Sequence, residues 1–188
     1  MENVKILALC GPKGVGKSTV SKELGLRLGL NGDYVEFLSF AQPLRRLALA
    51  AGFEWSWITD PKLKEKPHPV LGISARQFMQ GLGAFLRGLK EDFFIKAAER
   101  QIADLTKLWK PCEEQPLYVI IDDCRFDNEA MWINANGGWG SKCFELYRDG
   151  VDYTLEHASE TPVNRGLIHA RIDVSNVEDA AAEIFSQR

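Results

Sequence analysis

Gly11-Pro12-Lys13-Gly14-Val15-Gly16-Lys17-Ser18 fits G-x-x-x-x-G-K-S/T at every defined position. Residues of these types at this spacing wrap a phosphate. Glycines let successive backbone N–H groups turn inward around the anion, and a helix that starts at Lys17 points the positive end of its dipole at the same place. Lys17 is placed to reach β- and γ-phosphate oxygens, and Ser18 to ligate Mg²⁺. The motif predicts ATP and Mg²⁺ as cofactors, with Gly11, Lys13, Gly14, Val15, Gly16, Lys17, Ser18 and Thr19 around the donor phosphates. A second point of chemistry is Asp122-Asp123, which closes the apolar run Leu117-Tyr118-Val119-Ile120-Ile121. A carboxylate at the end of a buried strand is the usual second holder of magnesium beside such a loop. Neighbouring strand residues point to opposite faces, so only one of the pair faces the metal. A strand-end Asp that caps the next helix is the other reading.

The elements that must position these groups are legible as alternating patterns. Apolar, β-rich runs occur at Val4 to Cys10, Tyr34 to Phe40, Leu117 to Ile121, Cys143 to Tyr147 and Ala170 to Val174. Helical patterns occupy Lys17 to Leu30, Gln42 to Ala51, Ala75 to Leu89, Phe93 to Trp109, Asn128 to Ala135 and Val177 to Gln187. Asn31-Gly32 and Gly52 are stops, and Ser74 is an N-cap. The alternation predicts an α/β protein: a P-loop NTPase fold with about five parallel strands and helices on both faces. The runs Val4 to Cys10 and Leu117 to Ile121 read as central strands, with the phosphate site at their carboxyl ends. The stretch from Phe53 to Gly72 reads as a mobile or irregular insertion beside the substrate pocket, with Lys62, Lys64 and Lys66 as a solvated or phosphate-closing loop. One domain over 1–188 is expected, with a substrate-binding insertion at 41–110 and a lid-like segment at 148–168.

Composition excludes several function classes. A chain of 188 residues with net charge −3 carries no basic field of the kind that general nucleic-acid binding needs. No apolar stretch is long enough to span a bilayer, and Met1-Glu2-Asn3 runs straight into the first strand, so no membrane partner and a cytoplasmic location are expected. Cys10, Cys112, Cys124 and Cys143 show no metal-ligand spacing and read as small residues of a reducing compartment. Subunit number is left open, a homodimer included.

The residues after Asp123 carry a resemblance. Asp123-Cys124-Arg125-Phe126, followed by Glu129, resembles the D-V-R-F and later Glu of the bacteriophage deoxynucleoside monophosphate kinases. Phe40-Ala41-Gln42-Pro43-Leu44-Arg45 is similar to that family's F-A-x-P-L-K. The block from Ser74 to Gly83, with Arg76 and Gln80, resembles its S-x-R-x-x-x-Q-x-x-G, and His157-Ala158-Ser159-Glu160 resembles its H-x-S-E. The matches follow the family's order from the loop to Asp173. The resemblance implies that Asp123, not Asp122, is the magnesium-facing carboxylate, and that Arg76 and Arg125 line a monophosphate site. It implies acceptor contacts from Phe40, Arg45, Gln80, Glu129, His157 and Glu160, and an adenine contact from Asn176, two residues before Glu178 where the family has glycine.

Read as residues alone, a planar guanidinium is the usual clamp for a phosphate awaiting in-line attack, although Arg76 by position alone reads as a surface ion-pair residue. Gln80 shares a helix face with Arg76 and suits a base edge. Phe40 and Phe78 read either as packing for a base or as plain core. Arg148 and Arg165 suit a lid that brings positive charge to the transferring group, with His157 organising that lid rather than acting as a base. The expected activity is ATP-dependent phosphorylation of a nucleoside monophosphate, a deoxynucleoside monophosphate in the first place, to the diphosphate. The alternatives are a kinase of another small acceptor such as dephospho-coenzyme A or a sugar acid, and a non-catalytic nucleotide-binding protein. A GTP switch would carry N-K-x-D, which is absent.

Overall fold

The near-continuous apolar runs form the middle of a parallel sheet. The computed structural model describes residues 3–108, 115–136, 140–153 and 161–188. Strands β1 (Val4–Cys10), β2 (Tyr34–Leu38), β3 (Leu117–Ile121), β4 (Lys142–Tyr147) and β5 (Ala170–Asp173) lie in the order β2-β3-β1-β4-β5, every pairing parallel. β3 is buried throughout and β1 everywhere but Lys5, while the edge strand β2 is largely exposed. The helices are α1 (Lys17–Leu30), α2 (Gln42–Ala50), α3 (Trp55–Thr59), α4 (Ala75–Leu89), α5 (Phe93–Leu108), α6 (Asp127–Asn136) and α7 (Val177–Ser186). Among the described residues no helix is long and apolar enough to cross a membrane.

The chain divides into two compact units, Met1–Ser39 with Arg100–Arg188, and Phe40–Glu99. In the larger unit the period of two sorts each strand's side chains between two faces. Leu7, Leu9, Tyr118, Ile120, Phe144, Leu146 and Ile172 gather with Val20, Leu24 and Leu28 of α1 and Ala180, Ala181 and Ile184 of α7. Ile6, Ala8, Val119, Ile121 and Cys143 are fully buried and alternate with that set, so they line the opposite face, where α6 lies against β1 and β4. Both faces of the central strands are thereby covered, as a purely parallel sheet requires.

The smaller unit has its own apolar cluster of Ala48, Phe53, Ile58 and Ala75, with Trp57, Phe78 and Met79 packed on it. α4 starts at a capping box: the Ser74 hydroxyl accepts from the Gln77 N–H at 3.1 Å, and the Gln77 amide oxygen accepts from the Ser74 N–H at 3.0 Å. The stretch from Phe53 to Gly72 is more ordered than expected. It holds α3 and a 3-10 turn at Leu63–Glu65, closed over the buried His68. The His68 Nδ1 accepts from the N–H groups of Val70 and Leu71, each at 3.3 Å, and Nε2 lies 2.9 Å from Glu54. Its ring meets Phe53 and Trp57 edge-on, with centroids 5.3 and 4.9 Å away. Lys62 and Lys66 are solvent-exposed and Lys64 half-buried.

Candidate functional site: a phosphate loop at the carboxyl ends of β1 and β3

β1 ends at Cys10 and α1 begins at Lys17, so six residues must reverse the chain. Gly11, Gly14 and Gly16 do so at φ 132°, 83° and 109°. A Cβ on Gly11 would lie 2.4 Å from the Leu146 carbonyl oxygen of β4, so only hydrogen fits. Val15 between them is fully buried in the α1–α7 core, which leaves its backbone and not its side chain to a ligand. No acidic residue occupies the first turn of α1, so the helix keeps its positive end for an outside anion.

The Lys17 ammonium turns back into the loop, donating to the Gly11 and Pro12 carbonyl oxygens at 2.7 Å each. Burial, and after it the nearby Arg125 guanidinium, push Lys17 down from 10.5 to about 8; Cys10, Asp122 and Asp123 act the other way. The Ser18 hydroxyl donates to Asp122 Oδ2 at 2.6 Å. Arg148, just past β4, donates from Nη2 to the Gly14 carbonyl oxygen at 3.2 Å. The loop has the glycine-built form of a P-loop and closes a central strand of a parallel sheet.

The two strand-end carboxylates take different partners. Asp122 continues the Tyr118 and Ile120 side of β3, which is the side α1 covers, and therefore meets Ser18. Asp123 continues the Val119 and Ile121 side; it is buried, and its Oδ2 accepts from the Ser39 hydroxyl at 2.6 Å. Ser39 carries no motif in the sequence. Its signal is the parallel register, which ends with Leu38 beside Ile121 and so brings the next residues of both chains together.

Other expected ligands are placed differently. Glu129 is 2% exposed and accepts from the backbone N–H of Arg125 at 2.8 Å and of Phe126 at 3.2 Å. Phe40 is 3% exposed. Asn176 caps α7: its side-chain oxygen accepts from the N–H of Glu178 at 2.8 Å and of Asp179 at 3.4 Å. In the smaller unit Arg76 and Gln80 lie one turn apart on α4, and Arg76 Nη1 donates to Glu65 at 2.9 Å. Arg45 is half-buried on α2. Lys13 and Thr19 are exposed beside the loop, and Arg165 lies in an exposed 3-10 turn, Arg165–Leu167. His157 and Glu160 lie outside the described residues, as does Cys112.

The remaining cysteines are structural. Cys10, Cys124 and Cys143 are buried thiols, and the sulfurs of Cys124 and Cys143 are 3.9 Å apart. A hydrogen bond with Cys143, with burial next, pushes the Cys10 thiol far up, so it offers no thiolate nucleophile.

No known protein family's profile matches the chain, and no curated protein matches it in sequence. Solved structures resemble it along its length. An APS kinase from Mycobacterium tuberculosis is 16% identical with a TM-score of 0.47, over 100% of this chain and 98% of that one. A gluconokinase from Sinorhizobium meliloti 1021 is 14% identical with a TM-score of 0.45, over 100% and 93%. A shikimate kinase from Acinetobacter baumannii, in complex with shikimate, is 15% identical with a TM-score of 0.44, over 98% and 93%.

Proposed function

We propose that the protein transfers the γ-phosphoryl group of ATP to a nucleoside monophosphate, in particular a deoxynucleoside monophosphate, giving the diphosphate. The observation that carries the phosphotransfer reading is the convergence of Lys17, Arg148 and the Ser18–Asp122 pair on one glycine-built loop. The donor set fits a magnesium-bound triphosphate: a cradle at Gly11 that admits no Cβ, an acid-free helix start, a half-buried ammonium and a hydroxyl–carboxylate pair. Backbone N–H groups from Gly14 to Ser18 would hold the donor phosphates, and Lys17 would leave the loop carbonyls for the β- and γ-phosphate oxygens. Mg²⁺ held by Ser18 and Asp122 would supply charge neutralisation across the β- and γ-phosphates.

Arg148 and Arg125 add positive charge where the equatorial oxygens of the transferring group gain negative charge, a contribution realised mainly in the transition state. No general base is required, because the acceptor phosphate oxygen is already anionic. Recognition of the acceptor is assigned to the smaller unit. Arg76, whose Nη1 donates to Glu65, suits the phosphate, and Gln80 one turn further on the same face suits a base edge. Support for the nucleotide class of acceptor comes from the S-x-R-x-x-x-Q-x-x-G block that carries both residues. Incubation with Mg-ATP and single nucleoside monophosphates, with products separated by ion exchange, tests the reading: a nucleoside diphosphate forms with the ADP.

A further inference from the structure

Glu129 is a carboxylate with almost no exposure, and the proposed chemistry gives it no ligand to touch. Burying a charge is costly unless strong hydrogen bonds answer it. Here one oxygen, Oε2, accepts two successive backbone N–H groups, those of Arg125 and Phe126. Both belong to the turn that leads from Asp122 and Asp123 into α6, and Glu129 is the third residue of that helix. A charge-assisted pair of this kind is about twice as strong as a neutral one and fixes backbone direction at both residues.

The turn it grips is anchored at its other end too. Asp122 holds Ser18 and Asp123 is held by Ser39, each at 2.6 Å. Between those anchors and Glu129 the chain has only Cys124 before Arg125, whose backbone N–H is the first that Glu129 holds. Asp127, two residues earlier on α6, accepts from the Asn164 N–H at 2.8 Å instead. The division of labour singles out Glu129.

We propose that Glu129 is a positioning residue for phosphoryl transfer, holding the Asp122–Phe126 turn so that Asp122 stays on Ser18 and Arg125 leaves the turn in one direction. The inference rests on the phosphotransfer reading but not on which acceptor is used. A carboxylate that served only as the cap of α6 would affect stability and leave turnover of the folded enzyme alone. Glu129→Gln keeps an acceptor oxygen for the two N–H groups, whereas Glu129→Ala removes it.

The experiment compares the full-length protein with both variants, well below their unfolding temperatures, in steady-state kinetics and in amide hydrogen exchange of residues 122–126. The expected result for Glu129→Ala is a fall in kcat of about 30-fold or more, the loss of one oriented charge from the transition state. The KM for Mg-ATP should stay within about twofold, the 122–126 amides should lose protection, and Glu129→Gln should restore kcat to within about fivefold of the parent. A folded Glu129→Ala protein with unchanged kcat would overturn the proposal, as would a Gln variant as impaired as the Ala variant. If the parent uses no nucleoside monophosphate, the nucleotide reading fails by itself. The same kinetic comparison is then made on hydrolysis of Mg-ATP by water, and equal rates in parent and Glu129→Ala, with unchanged exchange, sink the positioning role.

Discussion

The Ser18 hydroxyl donates to the Asp122 carboxylate at 2.6 Å, joining the start of α1 to the end of β3. Asp123, one residue on, is turned to the opposite side and bonded to Ser39. The two neutralising substitutions should therefore separate. Asp122→Asn is expected to raise the Mg²⁺ concentration needed for half-maximal activity by about tenfold or more, while Asp123→Asn should leave that requirement near the parent value. Magnesium titrations of both variants check this, and a larger shift at Asp123 would put the metal on the other face of β3.

Lys17 governs the pH dependence of donor capture. With its pKa lowered to about 8, mainly by burial, the ammonium of the free enzyme is lost as pH rises through that value. The kcat/KM for ATP should fall above about pH 8 with the slope of a single ionisation. Bound phosphates favour the charged form, so kcat itself should break at higher pH, and ATP binding near about pH 9 should take up a proton. Calorimetry in buffers of different ionisation enthalpy measures that uptake. Lys17→Ala should lower kcat by about a hundredfold or more and abolish the downturn near about pH 8.

How much of the molecule is legible in its sequence follows from where each decision is made. α1 and β1 sit where the apolar runs and the loop put them, because local pattern and tertiary packing agree there. β2 stops at Leu38 instead of running to Phe40, since its last partner is Ile121 and the next residue turns its hydroxyl to Asp123. The short helix at Trp55 and the loop closed on His68 are too brief for periodicity to show; they are organised by burial of Phe53 and Ile58. That Asp122 and Asp123 must face opposite ways is readable from the strand period. Which one meets Ser18 depends on the side of β3 that α1 covers, and pattern alone does not state it. Glu129 and Asn176 accept from backbone N–H groups at helix starts, roles that their positions in α6 and α7 do signal.

Gly11 tests the loop as a piece of structure. At φ 132° with the Leu146 oxygen 2.4 Å from where a Cβ would sit, Gly11→Ala combines backbone strain with a clash against a strand carbonyl. A cost of about 2–4 kcal/mol in unfolding free energy is expected, along with weakened ATP binding. Gly29, exposed near the end of α1 with nothing within 4 Å of where a Cβ would sit, should instead tolerate Ala or gain slightly. Urea denaturation of the two variants gives the contrast.

Arg76 and Gln80 decide what the acceptor is. Arg76→Ala should depress use of every nucleoside monophosphate by about 2–4 kcal/mol in kcat/KM, because phosphate is common to all, and Gln80→Ala should reorder the preference among bases. Steady-state kinetics across the nucleoside monophosphates reads both effects. ATP affinity, measured separately, should change little in either variant.

Product analysis with Mg-ATP and each of the four deoxynucleoside monophosphates tests the central claim most directly. At least one is expected to be converted to its diphosphate with one ADP formed per diphosphate, and the Lys17→Ala protein to make neither at a comparable rate. A parent protein that forms no nucleoside diphosphate from any of them, while consuming ATP on dephospho-coenzyme A or a sugar acid, would contradict it.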